Sequence, residues 1–342
     1  MMRPRGSVSS ILVGMVSVAL LAGSAGCSES TTADDVPTRS PATAAVSPAT
    51  SASPAGQVLA SGPVAALVSD PKTGVLGTLD GATVSLLDPS APGSPARTVT
   101  LPGPAADLSV GVPGEFLAAT AHGVARIDVA AATVREIPVE GEPRSVLARQ
   151  DGSLVVGTAD GTLRELSADG AVVTRTVRGL VSADALAMVG DKVTALDRPQ
   201  TSITELDPGE DRLGLALRAG DGATKMLADT RGRVVVTDSE GGQLLVYGVG
   251  PLVLHQRFPV RSSPYALAYD QRSDLIWVTC TQSNEVVGFD LSTGIPKEQG
   301  RYPTVRQPNS VTVDQRTGDL FVGSATGDGV QRIGADDRKR GH

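Results

Sequence analysis

Five residues spaced about 40 apart carry the chemistry worth testing first: Arg144, Asp184, Lys225, Tyr265 and Asn309, separated by 40, 41, 40 and 44 residues. The same position holds Ala65 and Ala106 earlier in the chain, at gaps of 41 and 38. Structural positions in a repeat tend to keep their residue, whereas this one changes from alanine to polar and charged types over five successive copies. Two cations, Arg144 and Lys225, suit a carboxylate or an acidic loop of a partner. The plain alternative is a solvated rim in which these charges pair with one another, an arrangement of little energetic worth at an exposed surface.

Other residues with reactive side chains do not converge. His122, His255 and His342 fall at unrelated repeat positions, and no metal or acid–base constellation is expected from them. H-E-x-x-H, G-x-S-x-G and P-loop patterns are absent. Cys280 invites a nucleophile reading, but its slot in the repeat is filled by Thr, Asp or Ser elsewhere, which marks a small polar strand end. Asp197 and Asp238 share that slot and are expected to satisfy turns. Asp88, Asp128, Asp207 and Asp290 recur after the third strand of a copy and are likewise turn residues. No catalytic group, metal site or cofactor is assigned.

The elements that position these residues follow from two rulers. One is the series just given; the other closes an apolar run on Thr78, Thr120, Thr158, Asp197, Asp238, Cys280 and Ser324, at gaps of 42, 38, 39, 41, 42 and 44. A shared period near 40, with several short strands per copy, predicts an all-β, seven-bladed β-propeller over residues 56–333. Alternating segments such as Thr83-Val84-Ser85-Leu86 and Ser202-Ile203-Thr204-Glu205-Leu206 read as half-buried third strands. Asp-Gly pairs at 151–152, 160–161 and 169–170 suit tight hairpins. The last copy stops after its third strand, Val330-Gln331-Arg332-Ile333, while Gln57-Val58-Leu59-Ala60-Ser61 stands before Pro63 as a spare outer strand. The N-terminal strand therefore closes the ring, removing an open edge. The series of five then lies where innermost strands begin, at the mouth of the axial channel. Residues 334–342 are a polar tail.

The run from Trp277 to Gly294, WVTCTQSNEVVGFDLSTG, resembles the repeat of YVTN-type bacterial β-propellers, which are related in form to NHL-type repeats. Its strand, Ser-Asn turn, second strand and Asp-x-x-Thr-Gly turn match in order, with fainter echoes at Val235-Val236-Thr237-Asp238 and Leu320-Phe321-Val322-Gly323-Ser324. WD40 signatures and kelch glycine pairs are absent. The family includes surface proteins, binding scaffolds and lactonase-like or lyase-like enzymes, so membership implies the fold without deciding an activity.

Ahead of the repeats, Arg3 and Arg5, an apolar stretch Ile11 to Leu21 and the small residues 22–26 form a secretory signal, too short to span a bilayer as a helix. The residues before Cys27 resemble the lipobox of bacterial, most nearly actinobacterial, lipoproteins, although Ser24 stands where Leu or Val is usual. The resemblance implies cleavage after residue 26 and lipidation of Cys27, with the domain held at the cell membrane facing outside the cytoplasm; the plain alternative is ordinary signal-peptidase cleavage after Ala25, which releases a soluble protein with a free Cys27. Of residues 28–55, 22 of 28 are Ala, Ser, Thr or Pro, a composition expected to form a disordered tether. The formal charge is −7, or −9 without Arg3 and Arg5, and aromatics are 3% of the chain. Both count against nucleic acid and against a membrane contact other than the lipid anchor. What remains is a non-catalytic binding or scaffold module for an envelope protein, a peptide or a wall component. The alternative is a lactonase-like or lyase-like hydrolase with its site at the channel mouth.

Overall fold

A computed structural model describes residues 37–206 and 209–339; the predicted signal, Cys27, Asp207 and His342 lie outside them. Among the described residues, twenty-eight strands form seven antiparallel sheets of four strands each. In six sheets the strands follow one another from the axis outward, beginning with Ala66–Ser69, Ala105–Val110, Pro143–Ala148, Ala185–Val189, Ala223–Ala228 and Pro264–Asp270. The seventh starts with Pro308–Val313, continues through Leu320–Ser324 and Val330–Ile333, and takes its outer strand from Gln57–Leu59 at the other end of the chain. Gln57 pairs Arg332 and Leu59 pairs Val330. We number these blades 1 to 7 in that order.

The middle residues of the second strands are buried and mostly apolar, because each sheet is covered on both faces. In Glu115–Thr120, Phe116 and Ala118 pack toward blade 1 while Leu117 and Ala119 pack toward blade 3. The period-two rule of a strand thus serves two interfaces at once. The result is seven apolar clusters, one per interface between neighbouring blades. The seam between blade 7 and blade 1 is one of them, with Leu59, Phe321 and Val330 meeting Val64, Leu67 and Leu76. Bulky residues fit because glycines face them: a Cβ on Gly77 would stand 2.7 Å from the Phe116 ring, and one on Gly288 would stand 2.8 Å from Trp277.

Each blade has two ends. At one, the loop that enters the inner strand meets the hairpin between second and third strands; at the other, buried carboxylates (Asp70, Asp229, Asp270 and Asp314) cap the turns after the inner strands of blades 1, 5, 6 and 7. Asp70, for example, accepts from the Lys72 and Thr73 amides and, in the next blade, from the Gly114 amide at 2.8 Å. Such caps tie turns to neighbours and explain aspartates that the repeat series does not contain.

Two flanking segments pack onto the blades. Residues 37–55 carry no helix or strand, as their composition requires, yet from Arg39 to Pro48 they are held along the first end of the blades as a strap. The Arg39 amide donates to Pro199 O at 2.9 Å, the Ser47 amide to Gln307 Oε1 at 2.8 Å, and Asn284 Nδ2 to Pro48 O at 3.0 Å. A docked strap forms without apolar bulk because its small side chains let backbone groups reach polar side chains of the blades. Farther along, the fully buried Gln331 donates to Ala55 O and Pro303 O at 2.7 and 2.9 Å, which fastens the approach to the closing strand. The polar tail folds back as well. Within the short helix Ala335–Lys339, Arg338 reaches Asp270 at 3.1 Å and lies 5.1 Å over the Trp277 ring.

Candidate functional site

Inner strands reach the axis, and most of them begin with a β-bulge. The register slips between Ala105 and Asp107, between Pro143 and Ser145, between Ala223 and Lys225, between Pro264 and Leu267, and between Pro308 and Ser310. Three of these starts carry proline, which donates no ladder hydrogen bond and is tolerated at the first residue of a strand. A bulge re-aims the side chains beside it. The series read from sequence marks that point: Ala106, Arg144 and Asn309 are the residues the slips leave unpaired, and Tyr265 is one of two in blade 6.

Pairing with the second strand corrects two assignments. In blade 5 the bulge residue is Thr224, and Lys225 pairs with Thr237 as Asp107 pairs with Ala119. A single-residue shift was invisible because both threonine and lysine satisfy a polar slot. In blade 1 the second strand runs to Asp80, so Thr78 lies two residues inside the strand end that Thr120, Thr158 and the others occupy. The alternation Thr78-Leu79-Asp80 offered two equally polar stopping points.

A cavity of about 470 Å³ opens on the axis, and its walls include Asp107, Arg144, Asp184, Arg198 and Lys225. A second space of about 200 Å³ continues past Asp107, Lys225 and Asn309 toward Ala65. Arg144, Asp184 and Lys225 are thus brought to one wall system, with Asn309 at its continuation. Tyr265 enters differently: its ring packs against the cluster between blades 6 and 7, and the Lys225 ammonium stands 6.0 Å from its centroid. That distance is the outer limit of a cation–π contact.

Each charged group has a distinct degree of freedom. Arg144 pairs with Glu142 at 2.8 Å, both side chains being about half exposed, so a ligand carboxylate has only a weak surface pair to displace. Asp184 is pinned, accepting from the Arg198 amide at 2.9 Å and from Ser182 Oγ at 3.0 Å. Asn309 Oδ1 accepts from Gln307 Nε2 at 2.9 Å, which couples the channel mouth to the strap, since Gln307 also holds Ala45 O at 3.0 Å.

Asp107 is the group that the series passed over. Half-buried in the channel wall, its carboxyl is raised above the ordinary aspartate range by desolvation, and Lys225 and the Leu108 amide pull it only partly back. The available signal was its isolation as the one charged residue in Ala105–Val110, one step past the register position. Arg198 escaped for another reason: it comes from the hairpin after the second strand, and only folding brings that hairpin to the axis.

The remaining candidates serve the scaffold. Cys280 is buried between blades 5 and 6, and desolvation pushes its thiol up to about 12, so no thiolate is available for chemistry near neutral pH. Asp238 accepts from the Asp221, Gly222 and Gly241 amides and from Gln243 Nε2. Burial alone would raise its pKa, but those four donors outweigh it and hold the carboxyl below the usual range. Asp197 collects the Val181, Ser182 and Gln200 amides, but there burial outweighs the donors and raises the carboxyl above the usual range. Asp88, Asp128 and Asp290 cap their turns through Ser90, Ala131 and Ser292. Among the described residues, no group of three or more His, Cys, Asp or Glu is placed to hold a metal ion.

No protein-family model matches the chain, and neither does any curated protein sequence. Solved structures do match by shape. A structure of streptogramin B lyase aligns with a TM-score of 0.65 at 13% identity, covering 81% of this chain and 95% of that one. A chain of the mitotic checkpoint complex aligns at 0.71 and 13%, covering 86% and 96%. A chain of hydrazine synthase from Kuenenia stuttgartiensis aligns at 0.68 and 13%, covering 82% and 97%. Identities this low carry the shared architecture and nothing finer: the chain is a seven-bladed β-propeller.

Proposed function

We propose that the protein is an exported, lipid-anchored propeller that acts as a non-catalytic binding module for an envelope protein, a peptide or a wall component. The observation that carries the binding reading is the axial cavity, into whose wall the inner strands bring Arg144 and Lys225. Arg144 and Lys225 offer cations to an acidic group, while Asp184 is already committed to its own blade. Recognition by a fixed polar pocket on a packed scaffold needs no moving parts. Export and anchoring rest on the signal-like residues 1–26 and on Cys27. Propellers of this shape occur in protein assemblies, as in the mitotic checkpoint complex, which is in keeping with a partner-binding role.

The test is capture from envelope extracts by cross-linking, comparing the wild type with Arg144→Ala/Lys225→Ala. A partner lost in the double variant supports the pocket; equal capture by both proteins removes it. Anchoring is tested separately by labelling with a palmitate analogue, where Cys27→Ser is expected to lose the label and leave the membrane fraction. Retention of both overturns the lipid anchor.

One observation favours a second reading, a hydrolase or lyase at the channel mouth. Asp107, with its raised pKa and Lys225 nearby, has the makings of a general acid or base. Turnover of lactone or glycan substrates that disappears in Asp107→Asn would establish it.

A further inference from the structure

The strap is bound the way a peptide ligand is bound. Its main chain, not its side chains, supplies most of the contacts. Ala42 O accepts from Arg198, Ala45 O from Gln307 Nε2 at 3.0 Å, Ser47 O from Arg306 at 3.5 Å and Pro48 O from Asn284 Nδ2 at 3.0 Å. The Arg39 and Ser47 amides donate to Pro199 O and Gln307 Oε1. Only two strap side chains are buried, Ala42 and Ser47, at 4% and 2% exposure, whereas Val46 between them is 81% exposed. Ala42 rests on bare backbone: a Cβ added to Gly222 would stand 2.8 Å from the Ala42 Cβ. Ser47 Oγ donates to Thr281 O. A groove that reads carbonyls and admits two small side chains five residues apart selects an extended segment of small residues.

The fit is also incomplete. Arg198 and Arg306 each keep a buried Nε–H without an acceptor in the described structure. Unpaired buried donors weaken a complex relative to one that satisfies them. The strap is therefore a ligand that a better acceptor can replace.

We infer that the groove lined by Arg198, Gly222, Thr281, Asn284, Arg306 and Gln307 is a peptide-binding site, occupied in cis by residues 39–48. It receives from a second polypeptide an extended segment of Ala, Ser, Thr and Pro, led like the strap by a basic residue, that presents small side chains five residues apart. This deepens the binding-module reading by naming a partner class, but the groove carries it and the axial cavity does not. A covalently attached strap competes at an effective concentration on the order of millimolar, so a peptide in trans binds the resting protein weakly and gains affinity once the strap is evicted.

The experiment uses the full chain in mild detergent and a fluorescein-labelled peptide of residues 38–50, titrated by anisotropy. Ala42→Arg/Ser47→Arg evicts the strap, because neither site admits an arginine, and is expected to bind the peptide at least about tenfold more tightly than wild type. Adding Gln307→Ala removes a donor and an acceptor and is expected to lower that affinity about tenfold. A peptide carrying the same two arginines is expected not to bind. Absence of binding to the evicted protein, equal binding of the arginine peptide, or indifference to Gln307→Ala overturns the proposal.

Should the evicted protein lose its fold by circular dichroism, hydrogen exchange on wild type decides. The Arg39 and Ser47 amides are expected to exchange faster in millimolar peptide, and unchanged rates overturn the proposal. Arg144→Ala/Lys225→Ala is expected to keep full peptide affinity in the evicted background, so that failure of the axial pocket and failure of the groove read out separately.

Discussion

Blades 1 and 3 present the same inner strand to the axis with opposite contents. Blade 1 offers Ala65 and Ala66; blade 3 offers Arg144 on a bulge beside Ser145, which is locked to Ala183 O of the next blade at 2.8 Å. Behind those strands the two blades are alike, each sheet buried on both faces by an apolar cluster toward each neighbour. Packing therefore constrains the sheet faces all around the ring and leaves the axial edge free to vary. Variation at a position that the fold does not need is where binding chemistry can accumulate without loss of stability.

The largest expected effect breaks the equivalence of the seven interfaces. Deleting residues 56–62 removes Gln57–Leu59 and with it Leu59 from the seam, leaving Val330–Ile333 as an open edge. Thermal unfolding is expected to lose its single cooperative transition, and an unchanged melting curve contradicts closure at this seam. Next comes a cut inside one ordinary interface. Phe116→Ala, between blades 1 and 2, is expected to cost about 3–5 kcal/mol by urea unfolding, since Gly77 cannot fill the space. A loss below about 1 kcal/mol would mean the interfaces are looser than their burial indicates.

Smaller effects sharpen the axial half of the comparison. Asp107 has a folded pKa above its unfolded value, so the folded chain holds that proton longer. Its ionisation therefore withdraws stability as pH climbs from about 4 through the raised pKa. Asp107→Asn does not ionise, and its stability relative to wild type is expected to grow across that window and level off above it. A difference independent of pH would place Asp107 in ordinary solvent. The smallest effect belongs to Arg144→Ala/Lys225→Ala. Both side chains are partly exposed and the Arg144 pair is a surface one, so stability is expected to move by less than about 0.5 kcal/mol. A larger loss would make these residues part of the scaffold and remove them from the pocket.

Much of the architecture was legible in the chain because the repeat states it many times. Val330–Ile333 lacks a partner and Gln57–Leu59 lacks a blade, and that mismatch alone announces closure. The candidate site was legible only to within a residue. Arg144 and Asn309 were located because their bulges coincide with the repeat, whereas Lys225 was displaced by one step from Thr224, and Asp107 was missed by the same step. A bulge changes which neighbour faces the axis without changing composition, so periodicity cannot register it. The strap was illegible for a different reason. Its low apolar content correctly excludes a core, but polar side chains scattered over the blades, such as Gln307 and Asn284, supply its hold, and nothing local to residues 37–55 encodes them.

The route of the strap also decides how the molecule meets mechanical load. Tension applied to the chain ahead of Pro37 reaches the Arg39 amide first, then the contacts at Ala42, Ala45, Ser47 and Pro48 in turn, and last the pairing of Gln57–Leu59 with its neighbour. These bonds are loaded one after another, as in peeling, so each yields at low force while the ring behind stays shut. A pull on residues 37–48 would therefore part these contacts before it reached the closing strand.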